Sequence, residues 1–247
     1  MTGRGMRLTA RQVVRSFGGV TAVDGVTLTV PPGRITALSG PNGAGKSTLF
    51  DCLSGVQRPD SGRILLSGRD ITRLPEHRRA RLGLARTFQQ IAVFPRLTVS
   101  ENLRVGAEQA GDRSRGAASA AVERTLALLG LEPVRDHPAA GLPGGTLRSV
   151  ELGRALAAGP GVLLLDEPAA GLDRAETDRL ARLLRALADD GLAVLLVEHD
   201  RELVDRIADA GYVMAAGRTG PRTPLPDVAE PPGGSTGRPT GRPSRGT

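Results

Sequence analysis

Two apolar patterns share this chain. In one, apolar and polar positions alternate. Residues 8–15 and 26–30 read this way, as strands do when one face packs and the other meets water. In the other, polar positions vanish. Val162-Leu163-Leu164-Leu165 and Ala193-Val194-Leu195-Leu196-Val197 are unbroken apolar runs, as expected of strands covered on both faces of a parallel sheet. Shorter runs at 33–39, 62–68, 84–88 and 211–214 supply further strands. Helical spacing marks 47–55, where Leu49, Phe50 and Leu53 are apolar, the basic stretch 75–81, and the segments 150–158 and 177–187.

Between 97 and 130 the pattern is helical. Thr98 or Ser100 is placed to cap a helix opening Glu101-Asn102-Leu103. A second helix over 117–129 carries Val122, Leu126 and Leu129 on one face, and 111–116 reads as a polar loop between the two. Strands alternating with helices predict an α/β fold with a parallel-sheet core over 1–103 and 142–217, an antiparallel β region at its N-terminal end, and an α-helical subdomain inserted at 104–141. Residues 218–247 are Gly, Pro, Arg, Ser and Thr with almost no large apolar side chain. Such a segment buries too little surface to offset its ordering entropy, so it is expected to be disordered.

Composition narrows this picture. Aromatic residues make up 2% of the chain, so the core must be built from Leu, Val, Ala and Ile. Cys52 is the single cysteine. No intrachain disulfide is possible, and Cys52 is expected to be a small packed residue. The polar start, 1–7, predicts no signal peptide. No apolar run approaches the ~20 residues needed to cross a bilayer, so a membrane role would come through a partner. The net charge is +7, of which the tail supplies a share through Arg218, Arg222, Arg238, Arg242 and Arg245 against Asp227 and Glu230. That balance permits nucleic-acid binding, but no aromatics are interleaved for base stacking, and no nucleic-acid partner is expected.

The basic residues hold the sharpest clue. Lys46 is the only lysine, and the other 32 basic residues counted with it are arginine. It stands in Gly40-Pro41-Asn42-Gly43-Ala44-Gly45-Lys46-Ser47-Thr48, the P-loop pattern, between a predicted strand and a predicted helix. There the loop backbone is expected to face phosphate oxygens, Lys46 to reach the β- and γ-phosphates of a triphosphate, and the Ser47 hydroxyl to ligate Mg²⁺. A compact ammonium suits that space better than a planar guanidinium.

Other candidates cluster where strands end. Asp166 and Glu167 close one apolar run and Glu198-His199-Asp200 the next. Ligands of open α/β sheets bind at the carboxyl ends of strands. Asp166 is a candidate for holding Mg²⁺, and Glu167 for polarising the water that attacks the γ-phosphate. His199 is a candidate γ-phosphate contact. Gln89, after the 84–88 run, is positioned to ligate Mg²⁺ or orient water, with Gln90 beside it. Phe17 is placed to stack on a base or to serve as ordinary core. His77 and His137 receive no role, and no metal-ligand spacing of Cys and His exists.

Taken together, these residues resemble the ATP-binding subunit of an ABC transporter, over about 8–218, on a P-loop NTPase (RecA-like) core. In that resemblance 40–48 is similar to the Walker A motif and 162–167 to Walker B. Gln89 matches the Q-loop, Ala170-Gly171-Leu172-Asp173 the D-loop, His199 the switch histidine and Phe17 the adenine-stacking aromatic. Arg86-Thr87-Phe88-Gln89, with Val93-Phe94 and Leu97-Thr98-Val99-Ser100-Glu101-Asn102-Leu103, is similar to the branched-chain amino acid (LivG-type) branch, whose relatives also serve urea or amides. The resemblance implies an energy-coupling ATPase on the inner face of the cell membrane. It would work with permease subunits and, indirectly, with a periplasmic or extracellular solute-binding protein. ATP would sit between two subunits, one supplying the P-loop and the other a signature loop at a helix N-terminus.

That signature is where the chain departs from the pattern. Leu142-Pro143-Gly144-Gly145-Thr146-Leu147 keeps both glycines of Leu-Ser-Gly-Gly-Gln, so backbone donors can still face a phosphate. Pro143 lacks a hydroxyl and an N–H, and Leu147 stands where the branch generally has glutamine. The resemblance therefore implies a heterodimer with a second, LivF-like ATPase subunit in preference to a homodimer, with one strong and one weakened site. A nucleotide-gated subunit with weakened hydrolysis is the alternative. The closing helix usual in the branch is replaced here by the Pro/Arg-rich tail.

Overall fold

The computed structural model describes residues 7–89, 91–109, 111 and 114–224. Two sheets and a helical layer surround three apolar clusters. The N-terminal sheet is antiparallel and has the order β2-β1-β4-β5, from β1 (Leu8–Phe17), β2 (Val20–Val30), β4 (Ser61–Leu66) and β5 (Arg69–Asp70). In β1 and β4 buried and more exposed positions interleave, matching the sequence alternation.

The larger sheet joins β3 (Ile35–Ser39), β6 (Leu84–Arg86), β7 (Val162–Asp166), β8 (Ala193–Val197) and β9 (Ala210–Ala215), all parallel, in the order β9-β3-β8-β7-β6. Every residue of β7 and β8 is buried. Their unbroken runs hide a period of two. Leu164, Leu195 and Val197 pack with α1 (Lys46–Ser54) and the antiparallel sheet. Leu163, Leu165, Val194 and Leu196 pack against α6 (Arg174–Asp189) and α7 (Arg201–Ile207). Apolar side chains on both faces are what a sheet covered by helices on each side requires.

The clasp at the far end of α1 comes from α2 (Glu76–Arg81). Arg79 is fully buried and donates to the carbonyls of Cys52 (2.7 Å), Leu53 (2.7 Å), Leu74 (2.9 Å) and Thr72 (3.0 Å). The first two belong to the last turn of α1, where carbonyls lack intrahelical donors. Burial pulls the Arg79 guanidinium down to about 10, so it stays charged at neutral pH. Cys52 beside it is fully buried and its thiol is pushed up to about 11, chiefly by burial, as a packed, unreactive cysteine should be.

The helical layer consists of α3 (Val99–Gln109), α4 (Arg115–Leu129), a 3-10 turn (Glu132–Val134) and α5 (Gly144–Ala157). Thr98 caps α3 reciprocally with Glu101, each side chain accepting from the other's backbone N–H. Ser114 caps α4, which starts at Arg115, two residues before the expected start. The boundary expected at 104 falls inside α3. A continuous helix carries the chain across it. The boundary at 142 precedes α5, which packs on both sides of it: Val150 and Ala157 share a cluster with α3 and α4, Leu152 and Ala155 one with the parallel sheet.

A second correction concerns the tail. Its start is ordered. β10 (Arg218–Thr219) and β11 (Thr223–Pro224) both pair antiparallel with β9, because this edge strand offers backbone groups that the low apolar content of the tail does not predict. Residues 225–247, and Gln90, lie outside the described residues. The strand expected over 84–88 stops at Arg86 because Phe88 turns to α5. The Glu151 carboxylate accepts from the Phe88 and Ala92 N–H groups (3.1 and 3.3 Å). Among the described residues, no helix is long and apolar enough to cross a membrane.

Candidate functional site

An open pocket of about 310 Å³ lies where β3, β7 and β8 end, lined among others by Asn42, Lys46, Ser47, Gln89, Asp166 and Glu167. The loop from β3 into α1 forms its floor. Gly40 and Gly45 sit at φ +148° and +102°. A Cβ on Gly40 would strike the Met214 carbonyl, and one on Gly45 the Ala22 carbonyl. Only glycine lets the loop pass this close to β9 and β2. Lys46 is largely buried, and its ammonium donates to the Gly40 (2.7 Å) and Pro41 (3.0 Å) carbonyls. One of its three donors remains for a phosphate oxygen. Gly43 and Thr48 also line the pocket, while Ala44 is buried beneath it.

Asp166 ends β7 almost fully buried, and burial pushes its carboxyl up, opposed by Arg86. The Arg86 guanidinium lies 2.6 Å from Asp51 of α1 and 3.7 Å from Asp166. It also stands over the rings of Phe50 and Phe88, 5.7 and 5.0 Å from their centroids. One residue further, Glu167 adopts φ +49°. A non-glycine residue holds that conformation only when its surroundings over-determine it. Its carboxylate is met from two sides. Gln89 Nε2 donates to Oε2 at 3.2 Å, and His199 Nε2 lies 3.3 Å from Oε1. Two residues from segments far apart in sequence, Gln89 and His199, thus converge on the Glu167 carboxylate beside the P-loop.

The oxygen donors present suit a hard cation. The Ser47 hydroxyl, the Gln89 carboxamide and the Asp166 carboxylate all border the pocket. Among the described residues no group of three or more His, Cys, Asp or Glu gathers to hold a metal. One carboxylate with two neutral oxygens fits Mg²⁺, which is usually held through one or two carboxylates, its shell completed by phosphates and water.

Other expected residues stand apart. Phe17 ends β1, 42% exposed, with the Arg15 guanidinium 4.6 Å over its ring. It does not line the pocket, though Ala22 on the next strand does. Asp173 caps α6, accepting from the Glu176 N–H at 2.8 Å in a capping box. Pro143 is the N-cap of α5 without a side-chain cap bond, and Gly144 and Gly145 begin that helix away from the pocket.

Several supporting residues escaped the sequence reading. Arg148 donates to the Phe88 and Gln89 carbonyls (3.3 and 3.0 Å), so with Glu151 it ties the Gln89 segment to α5. Burial pushes the Glu151 carboxyl up. Glu198 is buried and, among the described residues, accepts hydrogens from the backbone of Ala169, His199 and Asp200. The available signals were an acid inside a helical apolar pattern, at Glu151, and an acid closing an unbroken apolar strand, at Glu198.

Known proteins share both the fold and its motifs. The family model described as ABC transporter matches residues 23–170. The ATP-binding protein LivG of high-affinity branched-chain amino acid transport, from Escherichia coli K12, is 38% identical over 225 residues, covering 85% of this chain and 88% of the relative. The lipopolysaccharide export ATP-binding protein LptB of Haemophilus influenzae is 37% identical over 212 residues with the same coverage, 85% and 88%. A nucleotide-free ATP-binding cassette of an ABC transporter superposes with TM-score 0.82 at 30% identity, over 90% of this chain and 93% of that one. A cassette in its ADP conformation gives 0.77 at 31%, over 89% and 91%. The chain belongs to the ABC transporter family as its ATP-binding subunit, an ATPase that powers transport with membrane permease subunits.

Proposed function

We propose that this ATPase drives uptake of branched-chain amino acids or related small polar solutes such as urea or amides. It would act from the cytoplasmic face of the membrane, paired with a second, LivF-like ATPase subunit and served indirectly by a solute-binding protein. The convergence of Gln89 and His199 on the Glu167 carboxylate beside Lys46 and Ser47 is the observation that carries the hydrolytic part. The P-loop backbone and Lys46 hold the phosphates. Ser47, Asp166 and the Gln89 carboxamide would hold Mg²⁺, which neutralises charge developing on the transferred phosphoryl group. Glu167 takes up a proton from the attacking water, held in place by Gln89 and His199. Phe17 would stack on the adenine, and Asp173 and the signature residues Pro143–Gly145 would act across the subunit boundary.

A depression of about 940 Å³ beside Gln89, lined by His77, Arg86, Phe88, Val105, Glu108 and Arg154 among others, is the place for a permease helix. Its floor reaches the site through Arg86. The solute rests on kinship with LivG. The nearly equal identity to LptB supports lipopolysaccharide export as a second reading. The altered signature supports a third, a nucleotide-gated subunit with weakened hydrolysis.

Steady-state ATP hydrolysis by the purified chain, alone and with its partner ATPase, tests the enzymatic part, with Lys46→Ala as control. Activity only in the mixture, lost in the control, is expected of the heterodimer. Bound ATP without turnover in any mixture favours the gated subunit. Labelled leucine, urea and lipopolysaccharide, compared in proteoliposomes holding the full transporter, decide the solute.

A further inference from the structure

We infer that Glu198 is the positioning residue of the hydrolytic pair, holding with one carboxylate the backbone on both sides of the Glu167–His199 contact. The inference rests on the reading of Glu167 and His199 as that pair. Glu198 follows β8 and is 8% exposed. Burying a carboxylate is costly unless donors surround it. Among the described residues it makes no ion pair, and its partners are three backbone N–H groups. Oε1 accepts from Ala169 at 2.8 Å, while Oε2 accepts from His199 at 2.9 Å and from Asp200 at 3.5 Å.

Those donors belong to the two segments that must be in register. Ala169 lies in the turn that carries Glu167 at its unusual φ of +49°. That turn is closed by the Ala170 N–H donating to the Glu167 carbonyl at 3.2 Å, and the Glu167 N–H donates to the end of β8 at Val197, 2.9 Å away. On the other side, Oε2 fixes the His199 peptide, and Asp200 starts α7 by capping Leu203 at 3.1 Å. His199 is thus suspended between a buried carboxylate and a helix cap. The 3.3 Å approach of its Nε2 to Glu167 depends on both segments keeping their places. Glu198 does not line the P-loop pocket, so it acts through the pair and not on the nucleotide.

The chain has three histidines, which makes the geometry readable without turnover. Imidazole-labelled NMR spectra of the full chain, with His199 assigned by loss of its signals in H199A, should show Glu198→Ala moving the His199 resonances toward their positions in E167Q. His77 and His137 should stay still. Glu198→Gln, which keeps one oxygen but turns a donor toward an N–H, should move them part of the way. Unmoved His199 signals, or equal displacement of all three histidines, would overturn the inference.

In hydrolysis with the partner ATPase, E198A should lower kcat about tenfold with ATP affinity kept within about twofold. It should also cost nothing further on an H199A background, because groups acting as one unit are non-additive. A full additional tenfold loss on that background would overturn it as well. If the resonances move as expected while H199A itself leaves kcat unchanged, the hydrolytic reading of the pair fails and Glu198 stands as its positioner.

Discussion

Two helices of this protein begin after glycine-bearing loops, and neither has a side-chain cap. The N-cap of α1 is Gly45 and that of α5 is Pro143. Both leave first-turn N–H groups for something else to bind. Beyond that they differ. α1 lies between the two sheets, within the cluster that holds Leu38, Leu164 and Leu195. Its first residue is Lys46, its C-terminal carbonyls are clasped by Arg79, and the carboxylates of Asp166 and Glu167 line the same pocket. α5 packs with α3 and α4 through Val150 and Ala157, and against the parallel sheet through Leu152 and Ala155. It reaches the pocket only indirectly, through Arg148 and Glu151 holding the Gln89 segment. One helix start is thus built into the pocket that Lys46, Asp166 and Glu167 share. The other opens outside that pocket, as a surface for another subunit's nucleotide would. Damage at the first should strike chemistry and folding, and damage at the second should strike communication.

The largest expected effect breaks the first half outright. Glu167→Gln keeps the hydrogen-bonding shape but removes the basic oxygen, so kcat should fall about a hundredfold or more while ATP still binds. Single-turnover hydrolysis beside equilibrium binding of a fluorescent ATP analogue reads both. Retained turnover would mean that Glu167 is not the base. At the opposite end of α1, Arg79→Met removes the donor from four carbonyls. An unsatisfied buried acceptor costs about 1–3 kcal/mol, so the loss of folding stability should reach at least about 3 kcal/mol even with partial relaxation. Denaturant unfolding checks it, and a change under about 1 kcal/mol would mean that water replaces the guanidinium.

The difference between the helices also marks what the sequence could and could not disclose. The P-loop, the Asp166-Glu167 pair and His199 were legible because each ends an apolar strand, and strand ends in a parallel sheet share one edge. Gln89 was legible because it follows the apolar run 84–88, although the strand itself stops at Arg86. The unbroken runs of β7 and β8 announced burial but concealed which side chain faces which cluster, since both faces are apolar. Arg86, Glu151 and Arg148 were illegible as site residues because their partners come from other segments, and Glu198 because its link to Ala169 does. Arg86 bonds Asp51 across 35 residues and Glu151 bonds Phe88 across 63, and no local pattern records such pairs. The short strands after Arg218 were missed because the partner edge, not the tail's own composition, creates them.

A smaller effect sharpens the link from α5 to the pocket. Burial raises the Glu151 carboxyl above its ordinary value of 4.5, against the pull of the Phe88 and Ala92 N–H groups and Arg148. A carboxyl raised on folding binds more protons in the folded state, so its contribution to stability is greatest at low pH. That contribution is lost as pH climbs from about 4.5 through the raised value. Glu151→Gln should flatten this part of the stability profile, so the stability difference, wild type minus variant, should decline over that window. Urea midpoints across pH 4 to 8 measure it, and a pH-independent difference would place the charge cost elsewhere. Because the amide keeps an oxygen for Phe88 and Ala92 but weakens the tie to Arg148, the Gln89 segment should loosen only slightly.

The smallest effect is a gain, and it tests the second helix start directly. At Pro143 the backbone already has extended N-cap geometry, φ −55° and ψ 150°. A serine there could accept from the Thr146 N–H and leave its hydroxyl at the mouth of the helix. Leu147→Gln adds a polar group at a half-buried position in the first turns of α5. Together, P143S and L147Q should raise ATP hydrolysis by about threefold to tenfold, and only in the mixture with the partner ATPase. The decisive comparison places the pair on two backgrounds. If α5 serves the partner's P-loop, the gain survives Glu167→Gln in this chain, because the improved site is the partner's. It vanishes when the partner's own catalytic carboxylate is removed. A gain that follows Glu167 instead would mean that α5 acts on its own chain's pocket, and the contrast between the two helix starts would collapse into a single site.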